Sequence, residues 1–261
     1  LLSGQAADAV DYFQRAIVVS NDSPFNQARI LYALAWAEFR AGQFVPAKDH
    51  FTQFIKRAER GENKYIIALM KLGDASYNIH SYKEAEKEYR AVLSILESNK
   101  TQYPELYAKA LINQARILGK LRQTDLAVER LDIYIQGAVV TLDKLDALKM
   151  KADLYVQDNA LEKANQVLVL MIDHYGFINE DVFMALADNR FNLNQFEGAL
   201  AVYQNYLNLF PKGDRRMDAR YGEVQSLIHL KHYDQALIEA GYTDAEFGSQ
   251  LYLDVEKTIE L

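Results

Sequence analysis

The chain of 261 residues contains no cysteine, only four prolines and only twelve glycines. Without cysteine there is no disulfide and no thiolate metal ligand, and either an oxidising or a reducing compartment would suit it. Proline falls far below its usual ~5% and glycine below ~7%, so long helices can run without breakers. The breakers that do occur stand in isolated places: Asn21-Asp22-Ser23-Pro24, Gly61, Pro104, Gly137, Gly176 and Pro211-Lys212-Gly213. The longest apolar run, Val167 to Ile172, is far short of the ~20 residues that span a bilayer as a helix. An excess of basic residues is also missing. The net charge of −7 works against nonspecific nucleic-acid binding, which depends on phosphate neutralisation. The sequence has no glycine-rich phosphate loop, no Gly-x-Ser-x-Gly elbow and no cysteine nucleophile, and no strand-like alternation survives scrutiny.

What is present is a repeat. An alanine returns at Ala9, Ala47, Ala85, Ala127, Ala164, Ala199 and Ala236, at intervals of 38, 38, 42, 37, 35 and 37 residues. Four residues after it stand Phe13, Phe51, Tyr89, Leu131, Leu168, Tyr203 and Ala240; three before it stand Ala6, Phe44, Tyr82, Thr124, Leu161, Phe196 and Tyr233. Positions i−3, i and i+4 share one helix face, so each set predicts a buried stripe. Twelve residues upstream of six of the alanines lies another small or slim residue: Ala35, Gly73, Ala115, Ala152, Ala187 or Val224. A turn must intervene, so this second residue lets a preceding helix approach closely. A period in this range marks helix hairpins that cannot bury their own apolar faces and therefore stack. Capping signals appear at Ser81 with Glu84 and at Thr243 with Glu246. The long 42-residue interval predicts an insertion near Glu97 to Thr101.

This pattern resembles the tetratricopeptide repeat over nearly the whole chain. The segment FMALADNRFNLNQFEGALAVYQNYLNLFP, Phe183 to Pro211, carries Ala187, Phe196, Ala199, Tyr203 and Pro211 at that family's small, aromatic, small, aromatic and proline positions. Ala68 to Leu93 is a second good match, with Leu72-Gly73 and Ala85. The expected alanine seven residues after the key one survives only as Ala16; later repeats carry Phe54, Val92, Tyr134, Met171 and Tyr206. The resemblance implies an all-α, right-handed superhelical solenoid of antiparallel helix pairs. It would comprise about six full repeats, a half repeat at the start and a terminal helix, in a single domain over 1–261. Residue 1 is not methionine and Gly4 to Val19 supplies only a second helix, so the chain reads as a piece of a longer protein. The repeats further resemble those of bacterial envelope proteins, which points to the periplasm or cell envelope, with the cytoplasm as the alternative.

In that family the first helix of each repeat lines a concave groove. The resemblance therefore assigns partner binding to Arg29, Tyr32, Trp36 and Phe39, then to Met70, Asp74, Tyr77 and Asn78. Lys109 and Arg116 follow, then Asp153, then Asp188 and Asn192; the same register also covers Arg40, Ile67, Ile112, Lys120, Asp146, Lys149, Gln157, Asp181, Met184, Phe191, Asp218, Tyr221, Gln225, Ile228 and His229. Aromatic residues and arginine at such places are the types enriched at interface hot spots. Trp36 and Tyr32 could equally pack against neighbouring helices, and Lys109, Arg116 and Lys120 could pair with Asp146 and Asp153 and bind nothing. His229 and His232 have a spacing that can ligate metal, but no third ligand is evident and helix-end histidines are the plainer reading. Asp153 and Asp188 occupy equivalent places in adjacent repeats; a glycosidase-like acid pair is one reading, a charged groove lining the plainer one. Neither a cofactor nor a metal is expected.

The function expected is a noncatalytic scaffold that binds a peptide or partner domain in the groove. The alternative is a helical accessory region of a larger enzyme or of polysaccharide or peptidoglycan machinery, with aromatic residues stacking on sugar rings. The partner expected is a protein or peptide and no nucleic acid, with pairing between copies through the solenoid ends left open.

Overall fold

A computed structural model describes residues 2–19, 24–60, 62–137 and 141–241. Among them lie thirteen α-helices and no strand, an all-α helical-repeat fold. They fall into two compact units, Leu1–Ala138 and Val139–Leu261. The first unit holds α1 (Leu2–Val19), α2 (Pro24–Arg40), α3 (Phe44–Ile55), α4 (Asn63–Asn78), α5 (Tyr82–Glu97), α6 (Pro104–Lys120) and α7 (Thr124–Gly137). The second holds α8 (Thr141–Gln157), α9 (Leu161–Asp173), α10 (Glu180–Asn192), α11 (Phe196–Leu209), α12 (Arg216–His229) and α13 (Tyr233–Gly241). Within each unit every helix packs on the next in sequence, so hairpins such as α2/α3 and α10/α11 stack side by side. No described helix is long and apolar enough to cross a membrane.

The alanine register is the core. Six of the seven repeating alanines, Ala47 to Ala236, are fully buried, and Ala9 is half-buried against Val10 and Leu34. Phe51, Tyr89, Leu131, Leu168, Tyr203 and Ala240, four residues on, are buried with them. The small residue twelve places upstream does what the spacing requires, but its neighbour is not only the alanine. A Cβ on Gly73 would lie 2.7 Å from the ring of Tyr89 and 3.7 Å from the Ala85 carbonyl. The slim site thus admits an aromatic wedge as well as a helix axis. The expected insertion is the turn at 98–103 between α5 and α6, where the Asn99 side chain donates to the Ile95 carbonyl at 3.1 Å.

One regularity lies in the turns. Five residues before each of the last six alanines the backbone is left-handed: Gly42, His80, Arg122, Asn159, Asn194 and Lys231, with φ between 55° and 75°. Each closes the same double-bonded helix end. At the first, Gly42 N–H donates to Phe39 O at 3.2 Å and Gln43 N–H to Glu38 O at 2.8 Å; at the last, Lys231 donates to Ile228 at 2.9 Å and His232 to Leu227 at 2.9 Å. This corrects the expectation for Ser81 and Glu84. Ser81 is spent closing α4, its N–H on Ser76 O at 2.8 Å, and its side chain makes no capping bond to α5; Glu84 pairs with Lys48 instead. Thr243 and Glu246 lie outside the described residues. Only Gly and Asn adopt this backbone easily. Lys231→Gly should therefore raise stability by about 0.5–1 kcal/mol, and Lys231→Val should lower it by at least as much. Thermal unfolding followed by circular dichroism checks both, and equal melting of the two variants would refute the strain.

A second group of polar residues sits inside the first unit. Glu38 is fully buried, and His50 Nδ1 lies 2.7 Å from its Oε2, so the imidazole pKa is raised first by that hydrogen bond. Glu88 Oε2 is buried, and burial pushes this carboxyl up to about 7 although the Ser76 hydroxyl and Lys48 pull the other way. Both folded-state values are raised. Glu88 therefore contributes stability that is complete below pH 4.5 and is lost as pH rises toward 7, and His50 contributes in the same sense above the ordinary imidazole value of 6.5. Glu88→Gln, which keeps the neutral shape, should raise Tm at pH 8 and leave it nearly unchanged at pH 4.5. An equal shift at both pH values would refute the assignment.

Candidate functional site

Two cavities open on the first helices of the hairpins, one in each compact unit, and they are built from the same register. In each, an aspartate eleven residues before the key alanine faces a tyrosine four residues after it. In the first unit the Tyr89 hydroxyl donates to Asp74. In the second the Tyr203 hydroxyl donates to Asp188 at 2.7 Å. Burial and the neighbouring carboxylate both push these phenols far above their ordinary value, so they stay protonated and act as fixed donors. An asparagine and an aromatic residue complete each wall: Tyr77 with Asn78, and Phe191 with Asn192.

The aromatic residues are held by a recurring edge-to-face pair at the mouth of the hairpin. Phe39 meets Phe44 at 5.3 Å between ring centroids, Tyr77 meets Tyr82 at 5.4 Å and Phe191 meets Phe196 at 5.3 Å. Each couples the residue eight before the alanine to the one three before it, across the left-handed turn.

The first-unit cavity has a volume of about 320 Å³ and also receives Phe39 from α2 and Asn113 and Arg116 from α6. Its aspartate is closed off. Lys71 Nζ lies 2.5 Å from Asp74 Oδ2, and Asn113 Nδ2 donates to Asp74 Oδ1 at 3.3 Å and to the Tyr89 hydroxyl at 2.6 Å. Arg116, an exposed residue, donates from Nη1 to Asn113 Oδ1 at 3.2 Å. The second-unit cavity, about 690 Å³, is larger and is completed from α12 by Asp218, Tyr221, Gln225 and His229. There Arg215 reaches Asp218 at 3.3 Å and Asp188 at 3.6 Å.

The structure distributes the residues expected to bind a partner. Phe39, Asp74, Tyr77, Asn78 and Arg116 meet in the first cavity, Asp188 and Asn192 in the second. Met70 is a correction: at 3% exposure it belongs to the hydrophobic core with Ile66 and Leu69, on the inward side of α4, and presents nothing to a ligand. Tyr32 and Trp36 are half-buried in an aromatic cluster. Tyr32 lies 4.9 Å from Phe54, Trp36 lies 6.2 Å from Phe51, and Arg40 and Lys71 cover the Trp36 ring at 5.6 and 5.5 Å. Arg29 and Lys109 are exposed outside both cavities, and Asp153 pairs along its own helix with Lys149 at 3.5 Å. His229 stacks flat on Phe196 at 4.2 Å. Among the described residues no group of three His, Asp or Glu side chains could hold a metal ion. Sequence reasoning placed Tyr89 and Tyr203 in the core, did not single out Asn113, and read the Arg215-Arg216 pair as a solvated helix end. The available signal was a tyrosine, rather than Phe or Leu, together with an aspartate fifteen residues earlier; the α8/α9 hairpin has that aspartate, Asp153, but Leu168 in place of the tyrosine.

Comparison with known proteins follows the same register. The sequence profile of the tetratricopeptide repeat matches residues 29–58 and 181–213, the α2/α3 and α10/α11 hairpins. The response regulator aspartate phosphatase J of Bacillus subtilis is 25% identical over 171 residues, 64% of this chain and 45% of that protein. The chain thus spans about half the length of this relative. Among solved structures, the C-terminal part of a tetratricopeptide-repeat protein from Cytophaga hutchinsonii superposes with a TM-score of 0.69 at 12% identity, over 98% of this chain and 94% of that one. YrrB, described as a tetratricopeptide-repeat protein with an unusual peptide-binding site, superposes with a TM-score of 0.52 at 12% identity, over 80% and 96%. At these identities the likeness speaks for the fold.

Proposed function

We propose that this chain is a tetratricopeptide-repeat protein and a noncatalytic scaffold which binds a peptide or partner domain along the first helices of its hairpins. Repeat proteins of this kind generally mediate protein–protein contacts. The observation that carries the proposal here is the duplicated cavity. Asp74, Tyr77, Asn78 and Tyr89 recur as Asp188, Phe191, Asn192 and Tyr203, which gives two subsites with an aromatic wall and an exposed amide. A side-chain amide that reads a partner backbone is the usual complement to an aromatic anchor. The phosphatase activity in the name of the Bacillus relative is not carried over, because the alignment spans 45% of that protein. The glycan alternative leaned on the rings of Tyr32, Trp36 and Tyr77; Tyr32 tilts against Phe54 at 4.9 Å and Trp36 lies under Arg40 and Lys71, which leaves it Tyr77 in the first cavity. The proposal extends to a single repeat domain over 1–261, supported by the even repeat without a linker, and to a bacterial envelope assembly as its setting.

The test is capture on an array of synthetic nonapeptides of known sequence. Asn78→Ala combined with Asn192→Ala removes only exposed side chains, so the fold should melt as before. Affinity for captured peptides should fall about fivefold for each amide that contacts the peptide, the effect of one lost hydrogen bond. Undiminished capture by the double variant would sink the subsite assignment.

A further inference from the structure

We propose that the cavity of the second compact unit takes a basic side chain of the partner, the guanidinium of an arginine or the ammonium of a lysine; this rests on the scaffold reading above. The cavity already shows what fits between its carboxylates. A single guanidinium, that of Arg215, lies 3.3 Å from Asp218 Oδ2 and 3.6 Å from Asp188 Oδ2. Two carboxylates face one arginine, so a negative charge is left over. The pairs are also loose: the side chains of Arg215, Asp188 and Asp218 are 38%, 43% and 64% exposed, and ion pairs of that kind contribute roughly 0–1 kcal/mol. An incoming cation that displaces Arg215 therefore gives up little.

Hydrogen bonding orients the acceptors. The Tyr203 hydroxyl occupies Asp188 Oδ1 and leaves Oδ2 on the side that Arg215 reaches. The remaining walls are Phe191 and the exposed Tyr221, whose rings suit a cation by the quadrupole of their faces, with the amide of Gln225 beside them. An organic cation is favoured over a metal ion, because no group of three ligating side chains stands among the described residues. The register-equivalent cavity of the first unit makes the contrast. There Lys71 neutralises Asp74 at 2.5 Å with both side chains 16% exposed, and Arg116 adds a positive charge, so a basic group finds no unmatched carboxylate. The surplus charge, and not the shared register, carries the inference.

The experiment uses the whole chain and immobilised nonapeptides of known sequence whose central residue is arginine, lysine, norleucine or glutamate. Peptides with arginine or lysine should predominate among those bound, and Asp218→Asn should weaken them about fivefold. Arg215→Gln removes the competing guanidinium and should tighten the same peptides about as much, which a purely structural role for Arg215 does not predict. Bound peptides without preference for arginine or lysine over norleucine, unchanged affinity in Asp218→Asn, or weaker binding in Arg215→Gln would each overturn the inference and leave the scaffold reading intact. Failure to bind any peptide would overturn both.

Discussion

Replacing Gly222 with alanine is expected to destabilise the second compact unit by about 3 kcal/mol, at the upper end for a single added methyl in a packed core. A Cβ at this position would stand 2.2 Å from Cζ of Tyr203 and 2.6 Å from both Cε atoms. The ring cannot move aside cheaply. Tyr203 is 3% exposed, and its hydroxyl is fixed by Asp188 at 2.7 Å on the opposite helix. The tyrosine is thus wedged between α10 and α12, and Gly222 is the gap it fills. In a Tyr203→Ala background the ring is gone, so Gly222→Ala should cost much less than in the wild type, a coupling above about 1 kcal/mol. Urea denaturation of the four proteins of the cycle, followed by helical circular dichroism, measures it. Additive costs would show that the methyl strains something other than the ring.

The repeat register was legible because burial acts on single positions. Ala47, Ala85, Ala127, Ala164, Ala199 and Ala236 are all fully buried, since a larger side chain at that crossing would part the two helices. The turns were less legible. Arg122 and Lys231 adopt the left-handed conformation although nothing in their residue types favours it, because the crossing geometry of the hairpin imposes it. Glycine marks only the first of these turns, at Gly42. Residue type was an unreliable guide wherever tertiary geometry overrode local preference, as at Ser81, whose backbone closes the preceding helix instead of its side chain capping the next.

The site was legible in part, for a related reason. A place along the first helix of a repeat fixes which way a side chain leaves the helix, and that sufficed for Asp74, Asn78, Asp188 and Asn192. It does not fix how deep the side chain sits. Met70 lies among Ile66 and Leu69 instead of in a cavity, and the reach of Arg215 to Asp188 depends on a turn whose path the repeat does not specify. Charge balance within a cavity follows from such pairings. Equivalent aspartates in the two units therefore end in different states, one neutralised by Lys71 and one only loosely paired.

Phe51→Ala should cost about 3–5 kcal/mol, the range for emptying a buried phenylalanine site that cannot collapse. Phe51 is fully buried, four residues after Ala47, with the rings of Tyr32 and Trp36 edge-on to it at 6.4 and 6.2 Å. Those neighbours are themselves pinned: Tyr32 tilts against Phe54 at 4.9 Å, and Trp36 meets Phe39 at 6.3 Å under Lys71 and Arg40. The cavity is apolar on every side named and should stay dry, so the loss is one of packing. Trp36 is the single tryptophan of the chain, which makes its emission a local reporter. The urea midpoint read from that emission should fall sharply in Phe51→Ala and by less than half as much in Phe51→Leu. An unchanged midpoint would mean that Trp36 is not part of this core. The same packing argues that Trp36→Ala would unfold part of the first unit, so loss of partner binding in that variant would report on the fold and not on a contact.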